Sequence, residues 1–193
     1  MASDITICNL ALAHLGTATI SALTDASKEA RACKLHYEEA RDAVLREHPW
    51  NFATRRVYLA LLSVAPVGYD FAYAYPTDCL FAREIWQETE LLAPTPFEVV
   101  SGTSGRMVVT DEADAVLEYT ARVTDSTQFD PLFVQALSYR LAAEIAMPIT
   151  RSVTVAQAML NLYRNSVAMA TAIDGREGKT DPEHPNSYIQ ARL

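Results

Sequence analysis

The stretch from Asp130 to Pro148 constrains the fold more than any other: Asp-Pro-Leu-Phe-Val-Gln-Ala-Leu-Ser-Tyr-Arg-Leu-Ala-Ala-Glu-Ile-Ala-Met-Pro. Both ends carry helix punctuation. The Asp130 carboxylate suits an N-cap, accepting a hydrogen bond from the first free backbone N–H groups. Pro131 follows at the first helical position, where no N–H is needed. Pro148 is expected to stop the helix, because its ring disfavours a helical residue before it. Between the prolines, apolar residues from Leu132 to Met147 fall on nearly every side, the mark of a buried helix. The stretch is too short to span a bilayer, and it contains Arg140 and Glu144. It is therefore expected to be the central helix of a folded core. Arg140 and Glu144 stand one turn apart, and buried charges need partners. Either they pair internally or at a rim, in the weaker Arg-before-Glu order, or they bond a neighbouring subunit.

The rest of the chain supplies elements to pack around it. Ser3 or Asp4 caps a first helix with Ile5, Cys8, Leu12 and Leu15 on one face, closed by Gly16. His14, near its end where a cation is mildly favoured, reads as a surface or cap residue, since no second ligand lies one turn away. A second helix starts near Thr24 or Asp25. Ala26, Ala30, Cys33, Tyr37, Ala40 and Val44 form its narrow stripe, and Lys28, Glu29, Lys34, Glu38, Glu39, Arg41 and Asp42 its solvated face. Pro49 ends it, Trp50 and Phe52 follow at a corner, and Ala53 to Leu62 reads as a short third helix. Periodicity changes at Pro66. Tyr69 to Tyr75, Leu80 to Trp86, Phe97 to Val100, Arg106 to Thr110 and Ala115 to Val123 read as strands. The glycines at 102 and 105 read as a hairpin turn, because the Lys-Ser/Thr of a phosphate loop is absent. A last long helix follows Thr150 to Ser152, with a seam at Val155, Met159, Leu162, Ser166, Met169 and Ile173, and Gly175 closes it.

The expected fold class is α+β, mainly a helical bundle with an inserted antiparallel β domain. Residues 1–65 and 125–175 would form the bundle and 66–124 the insertion. Residues 176–193 read as an extended C-terminal tail. Its less polar end, with Tyr188, Ile189 and Arg192, is either a docking segment that orders on a partner or a frayed terminus.

Composition narrows the function classes. Half of the 193 residues are hydrophobic, which supports a sizeable core. The net charge of −8 argues against a protein that coats nucleic acid by neutralising phosphates. Positive charge is carried by thirteen arginines and three lysines, a skew that fits protein interfaces or a GC-rich genome. Cys8, Cys33 and Cys79 show no metal-binding spacing, and Cys8 and Cys33 read as small core residues of a protein in a reducing compartment. Met-Ala-Ser-Asp at the N-terminus lacks a basic region before an apolar run, so no signal peptide is expected, and no membrane span is expected either.

Three stretches occur together in order: Leu45-Arg-Glu-His-Pro-Trp-Asn-Phe-Ala-Thr-Arg-Arg56, Tyr73-Ala-Tyr-Pro-Thr-Asp-Cys-Leu80 and Phe129-Asp-Pro-Leu-Phe-Val-Gln-Ala-Leu137. The ordered set resembles the tail tubular protein A family of short-tailed phages and related head-to-tail adaptors of other tailed phages, over nearly the whole chain. The resemblance implies a helical bundle with an inserted β domain. It implies a structural ring, a dodecamer, docked beneath the portal protein with a tail nozzle or next tail protein below. Genomic DNA would pass through the lumen without specific binding, and carboxylates lining that lumen would let it slide. The protein would be assembled in the host cytoplasm and reside in the neck or tail of the virion. No catalytic residue, cofactor, metal or membrane is implied. In the family pattern an Arg often follows the Leu of the Pro-x-Asp-x-Leu run. Here Phe81 stands there, and Arg83 is the candidate for that residue's inter-subunit role. Arg83, Arg140, Glu144, Tyr188, Ile189 and Arg192 are thus the expected interface residues.

Two other classes compete. A phage tail-associated cell-wall hydrolase needs paired carboxylates or a Cys–His pair in a cleft, and Glu84, Glu88 and Glu90 near Trp86 are its nearest candidates. Their spacing fits an exposed strand face better. Sequence-specific DNA binding is disfavoured by charge and by the lack of a basic recognition helix.

Overall fold

In a computed structural model that describes residues 2–87, 94–102 and 105–174, the punctuated stretch forms helix α3 (Pro131–Thr150). Asp130 caps it, accepting from the Leu132 N–H at 2.7 Å, with Pro131 in the first turn. Phe133, Ala136, Leu137, Leu141, Ala142, Ile145 and Ala146 are buried, and the helix packs against α1 (Asp4–His14), α2 (Lys28–Glu47) and α4 (Val153–Asp174). Pro148 does not stop it. The helix runs on to Thr150 and closes at Arg151, which takes a left-handed conformation and donates its N–H to the Met147 carbonyl at 3.0 Å. The extra turn buries Ile149 directly after Ile145 on the core face. That burial offsets the one backbone hydrogen bond lost at the exposed proline.

Ser3 caps α1, accepting from the Thr6 N–H, and Ile7, Cys8, Ala11 and Leu12 are its buried face. Ser27 caps α2, later than the Thr24 or Asp25 expected. The predicted stripe of Ala30, Cys33, Tyr37, Ala40 and Val44 is buried, while Ala26 lies exposed before the helix. Arg41, expected on the solvated face, is buried and clamps Asp42 at 2.8 Å. On α4 the seam is displaced. Tyr163 and Ala170 are buried with Met159, Leu160 and Val167 packed beside them, whereas Leu162 and Met169 are exposed. A strict heptad reading drifts from a straight helix of 3.6 residues per turn, and the Tyr163 ring takes the central position. The Ile173 side chain and Gly175 lie outside the described residues.

The β unit lies between α2 and α3. Strands β1 (Thr54–Tyr58), β6 (Val116–Ala121) and β3 (Cys79–Trp86) form one antiparallel sheet; β2 (Phe71–Ala74), β5 (Gly105–Thr110) and β4 (Glu98–Gly102) form the other. The expected third helix at 53–62 is instead a short helical turn, Asn51–Ala53, followed by β1. Pairing with β6 overrides the helical spacing of Val57 and Leu61, and the β-favouring Thr54, Val57 and Tyr58 were the local signal for it. The antiparallel layer therefore begins at Thr54, before residue 66. Beyond β1 the chain crosses between sheets: the Leu59 N–H bonds the Ala115 carbonyl, then the Leu62 N–H bonds the Ala72 carbonyl. Bridges at Leu61–Tyr73 and Ile85–Thr95 join both pairs of edges, so the two sheets close into a small barrel. Leu59, Tyr73, Ile85, Val108, Leu117 and Tyr119 fill it. Leu117, Tyr119, Ala121 and Val123 share the buried face expected of them. Among the described residues no helix is long and apolar enough to cross a membrane.

His14 is exposed, yet it stacks on Tyr139 of α3 at 4.4 Å between centroids and hydrogen-bonds Ser138. Partial burial lowers its pKa from 6.5 and outweighs the helix end, which would raise it. The unfolded chain therefore binds the proton more readily, and this contribution to stability is present above the unfolded pKa and is lost as pH falls from there through the folded one. NMR titration is expected to place His14 below 6.5, and His14→Gln to flatten the decline in urea stability as pH falls below that value.

Candidate functional site

The three stretches that carry the resemblance meet at the junction of bundle and barrel. Trp50 is buried, and its indole N–H donates to the Val44 carbonyl at 3.0 Å. Its ring meets Phe133 edge-on at 5.2 Å, Phe52 meets Phe133 at 5.1 Å and Phe129 at 5.9 Å, and Phe129 meets Phe133 at 4.8 Å. This aromatic knot joins the segment after α2 to the start of α3. On the barrel side, Asp78 in the turn before β3 collects Arg55 from β1 at 2.8 Å and the Tyr119 hydroxyl from β6 at 3.0 Å. Its carbonyl accepts the Arg122 N–H at 2.7 Å, and the Arg122 guanidinium returns to Asp42 of α2 at 2.7 Å.

Arg83 lies at this junction. Its Nε donates to Thr120 Oγ1 at 2.9 Å, a second nitrogen reaches the Arg46 carbonyl at 3.4 Å, and its guanidinium lies 4.7 Å from the Phe81 ring centroid. Arg46 of α2 lies over the same ring at 4.9 Å and donates to the Leu80 carbonyl, while Arg106 lies 4.0 Å from the Tyr75 centroid. Burial first, then the Arg46 charge, lower the pKa of Arg83. Sequence reasoning named Arg83 alone. Arg46 and Arg106 lie far from it along the chain; the packing of α2 on β3 brings Arg46 to Phe81, and the pairing of β2 with β5 brings Arg106 to Tyr75.

Arg140 and Glu144 are paired with each other, Nε to Oε1 at 2.7 Å. Glu144 also faces His36 of α2 at 3.8 Å, and Arg140 lies over the Tyr163 ring of α4 at 5.5 Å. The Tyr163 hydroxyl donates to Glu47 of α2. The pair thus sits in a polar seam joining α2, α3 and α4. Tyr188, Ile189 and Arg192 lie outside the described residues, as do Glu88 and Glu90. Glu84 is exposed on β3 opposite Glu118, which Arg56 holds at 2.6 Å.

Tyr119 is pushed up to about 12 by burial and then by Asp78, and Tyr75 to about 12 by burial and the Cys79 bond, despite Arg106 and Arg46. Tyr37 and Tyr163 are raised by burial, then by Asp4 and Glu47 respectively. All four move away from neutrality, opposite to what general acid–base work near pH 7 requires. A polar cleft of about 480 Å³ between α1, α2 and the segment that follows β6 holds Asp4, Glu38, Glu39, Asp42 and Arg122, but Asp42 there is bound to two arginines. Among the described residues no group of three His, Cys, Asp or Glu is placed to hold a metal ion. No protein-family model matches the chain, and no curated protein is similar to it in sequence.

Asp78 satisfies a guanidinium and a half-buried phenol at once, so its loss leaves both donors without that acceptor. Asp78→Ala is expected to destabilise the protein by about 1–3 kcal/mol in urea titrations, and Phe133→Ala, which empties the aromatic knot, by about 3–5 kcal/mol.

Proposed function

We propose that this chain is a head-to-tail adaptor of a tailed phage. Copies form a ring under the portal protein, the tail nozzle or next tail protein attaches below, and the genome passes through the centre. The observation that carries this reading is the convergence of the three resembling stretches on one junction. Residues matching a family pattern by chance would be scattered over the fold. Here Trp50, Phe52, Phe129 and Phe133 make one aromatic contact, and Arg55 and Asp78 one ion pair. Two further features support it. A β unit inserted between helices of a bundle is the architecture the resemblance implies. A net charge of −8 suits a wall along which DNA must slide.

The reading is tested with portal protein from the same genome. Size-exclusion chromatography with light scattering is expected to show the chain joining the portal in a complex of defined mass, with rings visible in negative stain. Failure to join the portal under any condition would overturn it. A monomer in the absence of portal would not, because such rings can assemble on the portal itself.

A further inference from the structure

The barrel is electrostatically polar along its axis. At the end beside the bundle, Arg46, Arg83 and Arg106 gather around Phe81 and Tyr75. None of the three forms an ion pair with a described residue. Each guanidinium has five N–H donors. Arg46 uses one, on the Leu80 carbonyl, and Arg83 uses two, on Thr120 and the Arg46 carbonyl. Stacking on the rings fixes these guanidiniums while leaving edge donors open, which suits carboxylates.

The other end is acidic. Asp70, Glu98, Asp111, Glu112 and Asp114 are all exposed, and none forms an ion pair with a described residue. Asp111 accepts the Asp70 N–H at 3.0 Å, which ties the two acidic turns together. Strand β5 links the ends: Arg106 lies at its start and Asp111 follows its last residue. At about 3.3 Å per residue the Cα atoms of Arg106 and Asp111 stand roughly 17 Å apart along the strand. One chain cannot bring its own ends together.

We propose that the arginine end of one barrel receives the acidic end of the next copy, so that neighbouring chains join head to tail. This deepens the adaptor reading and rests on it for the arrangement of copies in a ring. A contact between two different patches is heterologous, and repeated by a closing rotation it generates a ring. The partner is a second copy rather than nucleic acid, because the complementary carboxylates are on this chain and its net charge of −8 repels a polyanion.

Charge reversal tests the contact on the full chain, by sedimentation equilibrium at low salt and up to about 1 mM protein. One variant carries Arg46→Glu and Arg106→Glu; the other carries Asp70→Arg and Glu112→Arg. All four positions are exposed. The wild type is expected to self-associate, less so as salt rises from about 50 mM to about 500 mM. Each variant alone should associate about a hundredfold more weakly. An equal mixture should recover wild-type association, because every contact in an alternating assembly again pairs opposite charges. If the arginine variant loses its native circular dichroism spectrum, Arg46→Gln with Arg106→Gln replaces it and should still weaken association. Reversals without effect, or folded variants whose mixture stays dissociated, overturn the contact. So does a wild type that remains monomeric throughout, which leaves the adaptor reading to stand or fall on the portal experiment. Retardation of a short DNA duplex by wild type but not by the arginine variant, without self-association, would assign the patch to nucleic acid instead.

Discussion

The structure depends on the knot formed by Trp50, Phe52, Phe129 and Phe133. It is the place where the chain leaves the helical bundle and the place where it returns. With it, the exit after α2 and the entry into α3 share one buried contact, and Trp50 satisfies its indole N–H on the Val44 carbonyl at the end of the helix it follows. Aromatic rings suit this task because each buries a large area on few rotatable bonds, and edge-to-face contacts fix their mutual angle. The polar ties beyond it, Arg122 to Asp42 and Arg46 to Leu80, lie in line with the same junction and hold α2 against the barrel.

Most of the helical part was legible in the sequence because its signals are local. Asp130-Pro131 announces α3, and the steps from Ala30 to Val44 mark the buried stripe of α2. What was not legible depends on partners distant in the chain. Residues 53–62 carry a helical spacing of apolar side chains, yet β6 pairs with Thr54–Tyr58 among them from about sixty positions downstream. Pro148 carries a stop signal, but the burial of Ile149 outweighs it. Tyr163 displaces the expected seam on α4 because its ring fits beside Arg140 and its hydroxyl finds Glu47. Of the site, Arg83 could be named from a motif. Arg46 and Arg106 could not, since the packing of α2 on β3 and the pairing of β2 with β5, both between distant parts of the chain, place them there.

The excess of arginine over lysine gains a physical meaning here. Among the described residues, five arginines lie over aromatic rings: Arg46 and Arg83 on Phe81, Arg56 on Trp86, Arg106 on Tyr75 and Arg140 on Tyr163. A guanidinium is planar and weakly hydrated, so it can lie flat on a ring and still donate at its edge. An ammonium group is strongly hydrated and would give up more solvation in the same place. Like charges can then be held close together, as Arg46 and Arg83 are, because the ring and the carbonyls of Leu80 and Arg46 absorb part of each charge.

Rigidity at the junction bears on assembly through geometry. A ring closes only if the rotation from one copy to the next is constant, and an error of a few degrees accumulates around the circle. If the barrel supplies contacts to its neighbours while the bundle supplies others, the angle between the two units sets that rotation. The aromatic knot and the Arg122–Asp42 bridge act on this one angle, and the Asp78 carbonyl ties Arg122 to the barrel. Packed rings resist bending because their contacts lose dispersion energy steeply with separation, and ion pairs that cross the joint add directional restraint. In the adaptor proposed above, the residues that carry the resemblance are therefore the ones expected to tolerate change least, because a ring must repeat one angle.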